Sequence, residues 1–481
     1  IKRLAALKLP LVQIRGQWVE LRPDELAALA SLKKKIKGTG TITLIEALRL
    51  SLTGQDTAGA GPGLAASEEI IGAGLPLVSI AADDDLAVLL QKLQGNHKIE
   101  ILPQPQGFNG RLRPYQLRGF SWLYFLSELG LGACLADDMG LGKTIQLLAL
   151  LLQRQVQERE AGPVLLICPT SVVGNWQREI KRFAPSLQVL LHHGSWRLSG
   201  QDFVREASKR DLVISTYSLA HRDEKDLLAV DWAGVVLDEA QNIKNPEAKQ
   251  TRSICRLKAG FRVALTGTPV ENHLGELWSI MQFLNPGYLG NQADFRKRFM
   301  IPIERYHDQR RAEQLRRLVQ PFILRRVKTD PSIINDLPEK QEIKVFCHMT
   351  REQASLYEAV VQDMLHSIEV AEGIQRKGLI LAALTKLKQI CNHPAHFLGD
   401  GSALEDRSGK MTRLGEMLEE VLAAGERALI FTQFAVMGAM LQDYLQTVFE
   451  QEVLFLHGSV ARLKREEMVR RFQEDRKGPS L

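Results

Sequence analysis

The sequence predicts an α/β protein built on parallel sheets, and three observations carry that expectation. Short apolar runs recur, each followed by polar turn residues and a helical pattern: VLLIC (Val164 to Cys168), LVIST (Leu212 to Thr216), VVLD (Val235 to Asp238) and VALTG (Val263 to Gly267). A glycine-rich turn, ADDMGLGKTIQ (Ala136 to Gln146), joins the apolar run LGLGACLA to the helix-like run TIQLLALLLQRQ. A second strand–helix alternation begins after SGK (Ser408 to Lys410), with RALIFTQF (Arg427 to Phe434) and EVLFLHGS (Glu452 to Ser459) as its strands. Apolar strands alternating with helices imply a parallel sheet covered on both faces. Ligands of such sheets sit at the carboxyl ends of the strands.

Taken in order, the chain divides into four regions. Residues 1–105 form a small α+β accessory region, in which Val12 to Leu21 alternates like a strand and a helical pattern follows with Asp24 near its start. Lys33, Lys34, Lys35 and Lys37 either meet phosphate or close a solvated helix end, where the dipole favours cations. GQDTAGAGPGLAAS (Gly54 to Ser67) is a flexible small-residue linker. Residues 106–284 open with RLRPYQLRGFSWLYFLSELG, an amphipathic helix pattern whose Pro114 suits a first helical turn, and continue into the strand runs above. Residues 285–407 are mostly helical and strongly charged, with FRKRF (Phe295 to Phe299) and FILRRVKTD (Phe322 to Asp330). Residues 408–481 carry the second alternation, which stops before a sheet is complete.

Composition narrows the class. A chain of 481 residues exceeds what one core organises, so several domains are expected. Hydrophobic content of 45% and charged content of 25% are those of a soluble globular protein. A net charge of +6 leans only weakly toward an anionic partner at this length. Five scattered cysteines form no CxxC pair, so neither a disulfide framework nor a zinc ribbon is indicated; Cys391, His393 and His396 invite a metal reading but read more simply as structural residues of a helix-like segment. No apolar run reaches the ~18 residues of a membrane span and no signal peptide is visible, so a cytoplasmic protein without a membrane partner is expected. A start at Ile1 instead of methionine leads us to expect a piece of a longer protein.

The chemistry concentrates in three stretches. A turn ending Gly-Lys-Thr between strand and helix holds phosphates: converging backbone N–H groups and the helix N-terminus supply positive potential. Lys143 is expected to reach the β- and γ-phosphates and Thr144 to place its hydroxyl on Mg²⁺. Such loops usually begin with glycine, where this chain has Asp137. VVLDEAQ (Val235 to Gln241) ends a buried strand in two adjacent carboxylates, which packing alone does not explain because unpaired buried charge is costly. Beside a phosphate loop, Asp238 would hold Mg²⁺ and Glu239 would orient and activate the attacking water. ALTGTPVEN (Ala264 to Asn272) puts two small hydroxyl residues around a glycine at a strand end, able to bond both the carboxylate site and a neighbouring surface; a plain strand-to-helix turn accounts for it equally well. The first two stretches together read as a nucleoside triphosphatase.

Ten elements in order, LRPYQLRGFSWL, ADDMGLGKT, PTSVVGNWQREI, STYSL, LDEAQNIKNP, LTGTPVENHLGELWS, PFILRRVKTD, LKQICNHP, LIFTQF and FLHGS, resemble those of the SWI/SNF-type ATPases of helicase superfamily two, over roughly Arg111 to Leu481. Residues 1–105 look like the accessory segment that precedes the motor in bacterial members. The resemblance implies two RecA-like lobes that bind ATP and Mg²⁺ in their cleft, grip duplex DNA, and translocate along it without separating the strands, displacing or remodelling bound proteins.

By the same resemblance, Arg113 and Gln116 would contact adenine, and Asp138, Met139, Gly140, Leu141, Gly142, Lys143 and Thr144 the nucleotide and its metal. Asp238, Glu239 and Gln241 would act in hydrolysis, with Thr266, Gly267 and Thr268 coupling nucleotide state to the lobe interface. Thr170, Ser171 and Thr216 would follow the DNA backbone, whose phosphates suit hydroxyl and backbone donors. Trp176 reads either as a DNA contact or, more simply, as a packed aromatic. Gln433 and the His457-Gly458-Ser459 turn match positions near the nucleic-acid track, and Lys410 opens the helix before the second lobe. RNA polymerase is an alternative partner, and a strand-separating DNA or RNA helicase or a non-catalytic ATP-binding scaffold are alternative functions.

The chain departs from the family pattern twice. Gln241 stands where many members carry histidine, but glutamine still donates and accepts. The family's last two motifs, which supply arginines to the γ-phosphate, would follow Phe472, leaving the second lobe incomplete. An arginine finger can contribute ~10³ or more in rate, so weak ATP binding and very slow hydrolysis are expected of the 481-residue chain.

Overall fold

The computed structural model describes residues 11–14, 17–20, 44–45, 48–49, 52, 84–93, 99–157, 162–270, 273–331, 333–334, 342–370, 373–475 and 478–481. Asp24, the lysines at 33–37 and the Gly54–Ser67 stretch lie outside the described residues. The chain divides into two compact units, Ile1–Leu337 and Pro338–Leu481. The division falls inside the helical region expected at 285–407. Its first part joins the first unit because Phe295, Phe299, Leu315, Leu318 and Phe322 are buried in that unit's core.

In the first unit, β1 (Leu11–Ile14) and β2 (Gln17–Glu20) pair antiparallel, with Leu11 opposite Glu20, where the alternation had suggested one continuous strand. Helix α1 (Asp84–Leu93) precedes the main body, whose first helix is α2 (Pro114–Glu128). The sheet follows: β3 (Ala133–Leu135), β4 (Val164–Cys168), β5 (Val189–Leu191), β6 (Leu212–Thr216), β7 (Trp232–Asp238), β8 (Ala259–Leu265) and β9 (Ile323–Leu324). Their order across the sheet is β5-β6-β4-β7-β8-β3-β9, and every pairing is parallel. The four apolar runs of the sequence are its central strands. All five residues of β4 and of β6 are buried, as strands covered on both faces require.

Helices α3 (Lys143–Gln157) and α4 (Val173–Phe183) leave the carboxyl ends of β3 and β4. Because every strand points the same way, the phosphate loop after β3, Thr266 after β8 and Asp238 at the end of β7 emerge on one rim, from three adjacent strands. That placement is what the α/β reading predicted.

The second unit holds α5 (Arg351–Val370), α6 (Gly373–Asn392), α7 (Gly409–Ala423), α8 (Ala435–Phe449) and α9 (Arg462–Glu474). The strands expected at Arg427 to Phe434 and Glu452 to Ser459 form no ladder among the described residues. Each has one backbone bond to the C-terminal residues: the Ala428 N–H donates to the Ser480 carbonyl and the Leu454 N–H to the Leu481 carbonyl. A ladder needs a run of such bonds along a neighbouring strand, and without one Leu429, Phe431 and Leu456 stay exposed. A small core of Met411, Leu418, Met437, Leu441, Leu445 and Val453 packs α7 and α8 around these segments.

Candidate active site

The phosphate loop is held open by its glycines and anchored by its acids. Gly140 and Gly142 have φ of +84° and +77°, a region that L side chains rarely adopt. A Cβ on Gly142 would stand 2.6 Å from Gln116 Nε2, and one on Gly140 2.9 Å from Lys328 Nζ. Both close atoms are the ends of side chains that can move, so it is the left-handed backbone that favours glycine at these two positions. Helix α3 starts at Lys143, so Lys143 and Thr144 stand at its amino end, where the dipole is positive. The Lys143 ammonium donates to the Asp137 carbonyl at 2.7 Å. Burial pulls its pKa down, and the charges of Glu239, Asp137, Asp238 and Asp138 oppose that fall.

Asp137, the residue in place of glycine, is fully buried and paired with Arg326. Arg326 Nε donates to Asp137 Oδ1 at 2.8 Å, and its Nη2 donates to Asp137 Oδ2 and to Gln146 Oε1, the latter at 2.6 Å. Gln146 Nε2 returns a bond to Asp137 Oδ2 at 3.2 Å, and Arg326 Nη1 donates to the Tyr115 carbonyl. The backbone repeats the connection, Asp138 N to Arg326 O at 3.0 Å and Lys328 N to Asp138 Oδ2 at 3.0 Å. The loop is thus clamped between α2, α3 and the segment after β9. Reading the sequence missed this clamp, although a charged residue at a glycine position was its trace.

Gln116 and Arg113, expected near adenine, meet at the start of α2, where the Arg113 N–H donates to Gln116 Oε1 at 2.9 Å. Gln116 Nε2 reaches the Leu141 carbonyl at 3.3 Å, and the Tyr115 hydroxyl donates to the same carbonyl at 3.1 Å. Gln116 therefore supports the phosphate loop itself. Asp138 is half-buried, Leu141 is buried, and Met139 is exposed at the tip of the loop.

The DEAQ and LTGTP stretches are joined by a hydrogen-bonded chain. Asp238 Oδ2 accepts from the Trp176 indole N–H at 2.7 Å, and Oδ1 accepts from the Glu239 N–H at 3.0 Å. Burial raises the Asp238 pKa, and the Trp176 bond offsets part of that rise. Glu239 has left-handed backbone, φ 52° and ψ 57°, which breaks the strand and turns the next residues into a 3₁₀ turn, Ala240–Ile243. A strained non-glycine residue at a strand end is a common device of active sites. Gln241 Nε2 donates to Glu239 Oε2 at 2.8 Å, Thr266 Oγ1 donates to Gln241 Oε1 at 3.0 Å, and the Thr268 N–H donates to Thr266 Oγ1 at 3.1 Å. Gly267 offers its carbonyl to Arg325 Nη1 at 3.4 Å. Gln241 is the middle of this chain, using its donor and its acceptor together.

The residues expected along DNA divide. Thr170 and Ser171 are exposed in a 3₁₀ turn between β4 and α4, on the rim that carries the phosphate loop. Thr216 ends β6, but its side chain is buried and faces Ser218 at 3.3 Å. Its hydroxyl is not displayed to any surface, and the exposed neighbour is Ser218. Trp176 is packed, 1% exposed, and so is no surface contact. In the second unit Gln433 is exposed and accepts from Lys388 Nζ at 3.4 Å, while Gly458 and Ser459 are exposed and the Gly458 carbonyl takes a bond from Arg465 at 2.6 Å. Lys410 lies in the first turn of α7. His393 caps a short helix through its Nδ1 and meets the Leu404 carbonyl, and no metal-holding cluster is found among the described residues.

Known proteins share this arrangement of sequence. A family model described as SNF2-related domain matches residues 115–396, and one described as SNF2 Helicase protein matches residues 1–52. YwqA of Bacillus subtilis (strain 168), which carries the name of an ATP-dependent helicase/translocase, is 43% identical over 472 residues, 98% of this chain and 51% of that protein. The ISWI chromatin-remodeling complex ATPase CHR11 of Arabidopsis thaliana is 33% identical over 364 residues, 73% of this chain and 34% of its own length. A solved structure of the Sulfolobus solfataricus SWI2/SNF2 ATPase core in complex with dsDNA aligns over 78% of each chain at 43% identity, with a TM-score of 0.48. The chain spans about half the length of YwqA and a third of CHR11. With the phosphate loop, the DEAQ strand end and the LTGTP turn all inside the matched residues, the chain belongs to the SNF2-related family of helicase superfamily two ATPases.

Proposed function

We propose that this chain is the nucleotide-hydrolysing part of a nucleic-acid-dependent ATPase that translocates along double-stranded DNA and displaces or remodels proteins bound to it. The observation that carries the reading is the joining of Glu239 through Gln241 to Thr266 and Thr268, beside a glycine cradle that opens into the amino end of a helix. Positive-φ glycines leading into the amino end of α3 suit the phosphates of ATP. Lys143 and the N–H groups at the start of α3 would bind the β- and γ-phosphates and orient them.

Mg²⁺ would be held by Thr144 and Asp238, supplying charge neutralisation across the phosphates. Glu239, fixed in direction by its left-handed backbone and by Gln241, would hold the attacking water and take its proton. Loss of that proton acceptor or gain of product charge would be felt at Thr266 and Thr268, the next members of the chain. The exposed hydroxyls of Thr170 and Ser171, and that of Ser218 in the short helix that follows β6, suit phosphate contacts that carry no sequence information.

Duplex translocation is favoured over strand separation by the resemblance to SWI/SNF-type motors. Blunt and tailed duplexes distinguish the two. Hydrolysis stimulated equally by both, with no strand displaced, supports translocation; displaced strand supports a helicase. Strong stimulation by RNA alone would overturn the duplex assignment. A scaffold that only binds ATP would keep its cellular role in the Lys143→Ala variant, whereas a motor loses hydrolysis by ~10² or more. Whether RNA polymerase is the displaced protein is tested by release of a stalled polymerase against release of an unrelated roadblock on the same duplex.

A further inference from the structure

We infer that Trp176 is a positioning residue that couples the exposed DNA-facing turn at Thr170–Ser171 to the metal-binding carboxylate of Asp238. The inference rests on the function proposed above and goes beyond it by assigning the route from DNA to the nucleotide site.

The 3₁₀ turn Thr170–Val172 runs without a break into α4, Val173–Phe183. Trp176 is one turn into that helix, so anything that shifts the exposed hydroxyls shifts the indole on the same rigid element. The indole is buried to 1% exposure, and its N–H has a single strong bond, to Asp238 Oδ2 at 2.7 Å. The other carboxylate oxygen is held by the Glu239 N–H at 3.0 Å. Asp238 is therefore oriented by two donors, one from its own strand and one from the element that carries the proposed DNA contacts. The Glu239 N–H belongs to a backbone also held by Tyr217, whose hydroxyl donates to the Asp238 carbonyl at 2.8 Å. Of the two donors to the carboxylate, Trp176 is the one that comes from a different element, the one continuous with the exposed turn. Packing alone calls for an apolar ring at position 176 and not for a donor aimed at a carboxylate. A hydrogen bond to a charged acceptor in a half-buried site is short and directional, which suits transmission of a small displacement.

Coupling between two ligands is reciprocal, so it is read as a ratio of affinities. The experiment uses the protein in its natural length, a fluorescein-labelled 30-base-pair duplex followed by anisotropy, and a fluorescent ATP analogue titrated at fixed Mg²⁺ with and without saturating duplex. In the wild type, duplex should change the analogue's affinity about tenfold. Trp176→Phe keeps the apolar ring and removes the donor; it should bind duplex with unchanged affinity and reduce the ratio to below about twofold. Trp176→His, which restores a ring N–H, should recover part of the ratio, and Thr170→Ala with Ser171→Ala should reduce it from the DNA side without touching the core. An unchanged ratio in Trp176→Phe with duplex still bound overturns the inference and leaves the proposed function intact. A wild type that binds duplex with a ratio near one also overturns it. A wild type that binds no duplex overturns the proposed function itself. Should Trp176→Phe fail to fold, an undiminished ratio in the Thr170→Ala, Ser171→Ala variant overturns the route.

Discussion

Asp137 and Arg326 show how a residue that weakens a motif in one reading can complete it in another. A buried carboxylate at the mouth of a phosphate loop is tolerable only because a guanidinium and Gln146 satisfy it. Removing one partner leaves the other charged and dry, so Arg326→Met should destabilise the first unit by about 3–5 kcal/mol in urea unfolding. Asp137→Asn together with Arg326→Met should lose less than the sum of the two single changes; strict additivity would refute the clamp. Gln241 makes a second residue-scale prediction. Gln241→Ala interrupts the chain from Glu239 to Thr266 and should lower DNA stimulation of hydrolysis about tenfold, while Gln241→His, with one donor and one acceptor, should stay within a few-fold of wild type. Equal activities of the Ala and His variants would show that the chain transmits nothing. That Lys143, Asp238 and Glu239 would lie at neighbouring strand ends could be read from the sequence because each sits in a contiguous pattern. The partners of Asp137 and Asp238 were not: Arg326 and Trp176 lie 189 and 62 positions away, and only the folded sheet brings them in.

At the scale of elements, the strands most legible in the sequence were the fully buried β4 and β6 and the largely buried β7, because uninterrupted apolar runs bounded by turns leave few alternatives. The segments Arg427 to Phe434 and Glu452 to Ser459 have the same composition, yet a strand exists only when a partner supplies its ladder, which composition does not encode. The N-terminal alternation was read as one strand where two pair, since a period of two is shared by a long strand and by both arms of a hairpin.

Cys134 in β3 and Cys168 in β4 give this sheet a chemical test. Burial pushes both thiols up to about 12. Their folded pKa lies above the unfolded one, so the unfolded chain loses these protons at a pH where the folded chain still keeps them. Stability therefore falls as pH rises from about 9 toward 12, by ~1 kcal/mol per pH unit for each thiol. The double variant Cys134→Ala, Cys168→Ala should show a shallower decline than wild type over that window. Thiol titration at pH 8 should modify Cys347 and Cys391, which are partly exposed, and spare Cys134 and Cys168 until unfolding. Early labelling of either sheet cysteine would contradict the buried sheet.

In the first unit as a whole, the candidate site gathers on one rim of one sheet. Three adjacent strands deliver a phosphate cradle, a carboxylate pair and a hydroxyl turn, and the neighbouring strand β4 leads directly into exposed residues suited to a DNA backbone. The direct test is steady-state ATP hydrolysis by the protein in its natural length, measured with and without blunt duplex DNA, for the wild type and for Glu239→Gln. Duplex should raise the wild-type rate tenfold or more, and Glu239→Gln should lose ~10² or more of the stimulated rate while still binding nucleotide. A wild-type rate indifferent to duplex, or a Glu239→Gln variant that turns over like wild type, would contradict the proposed function.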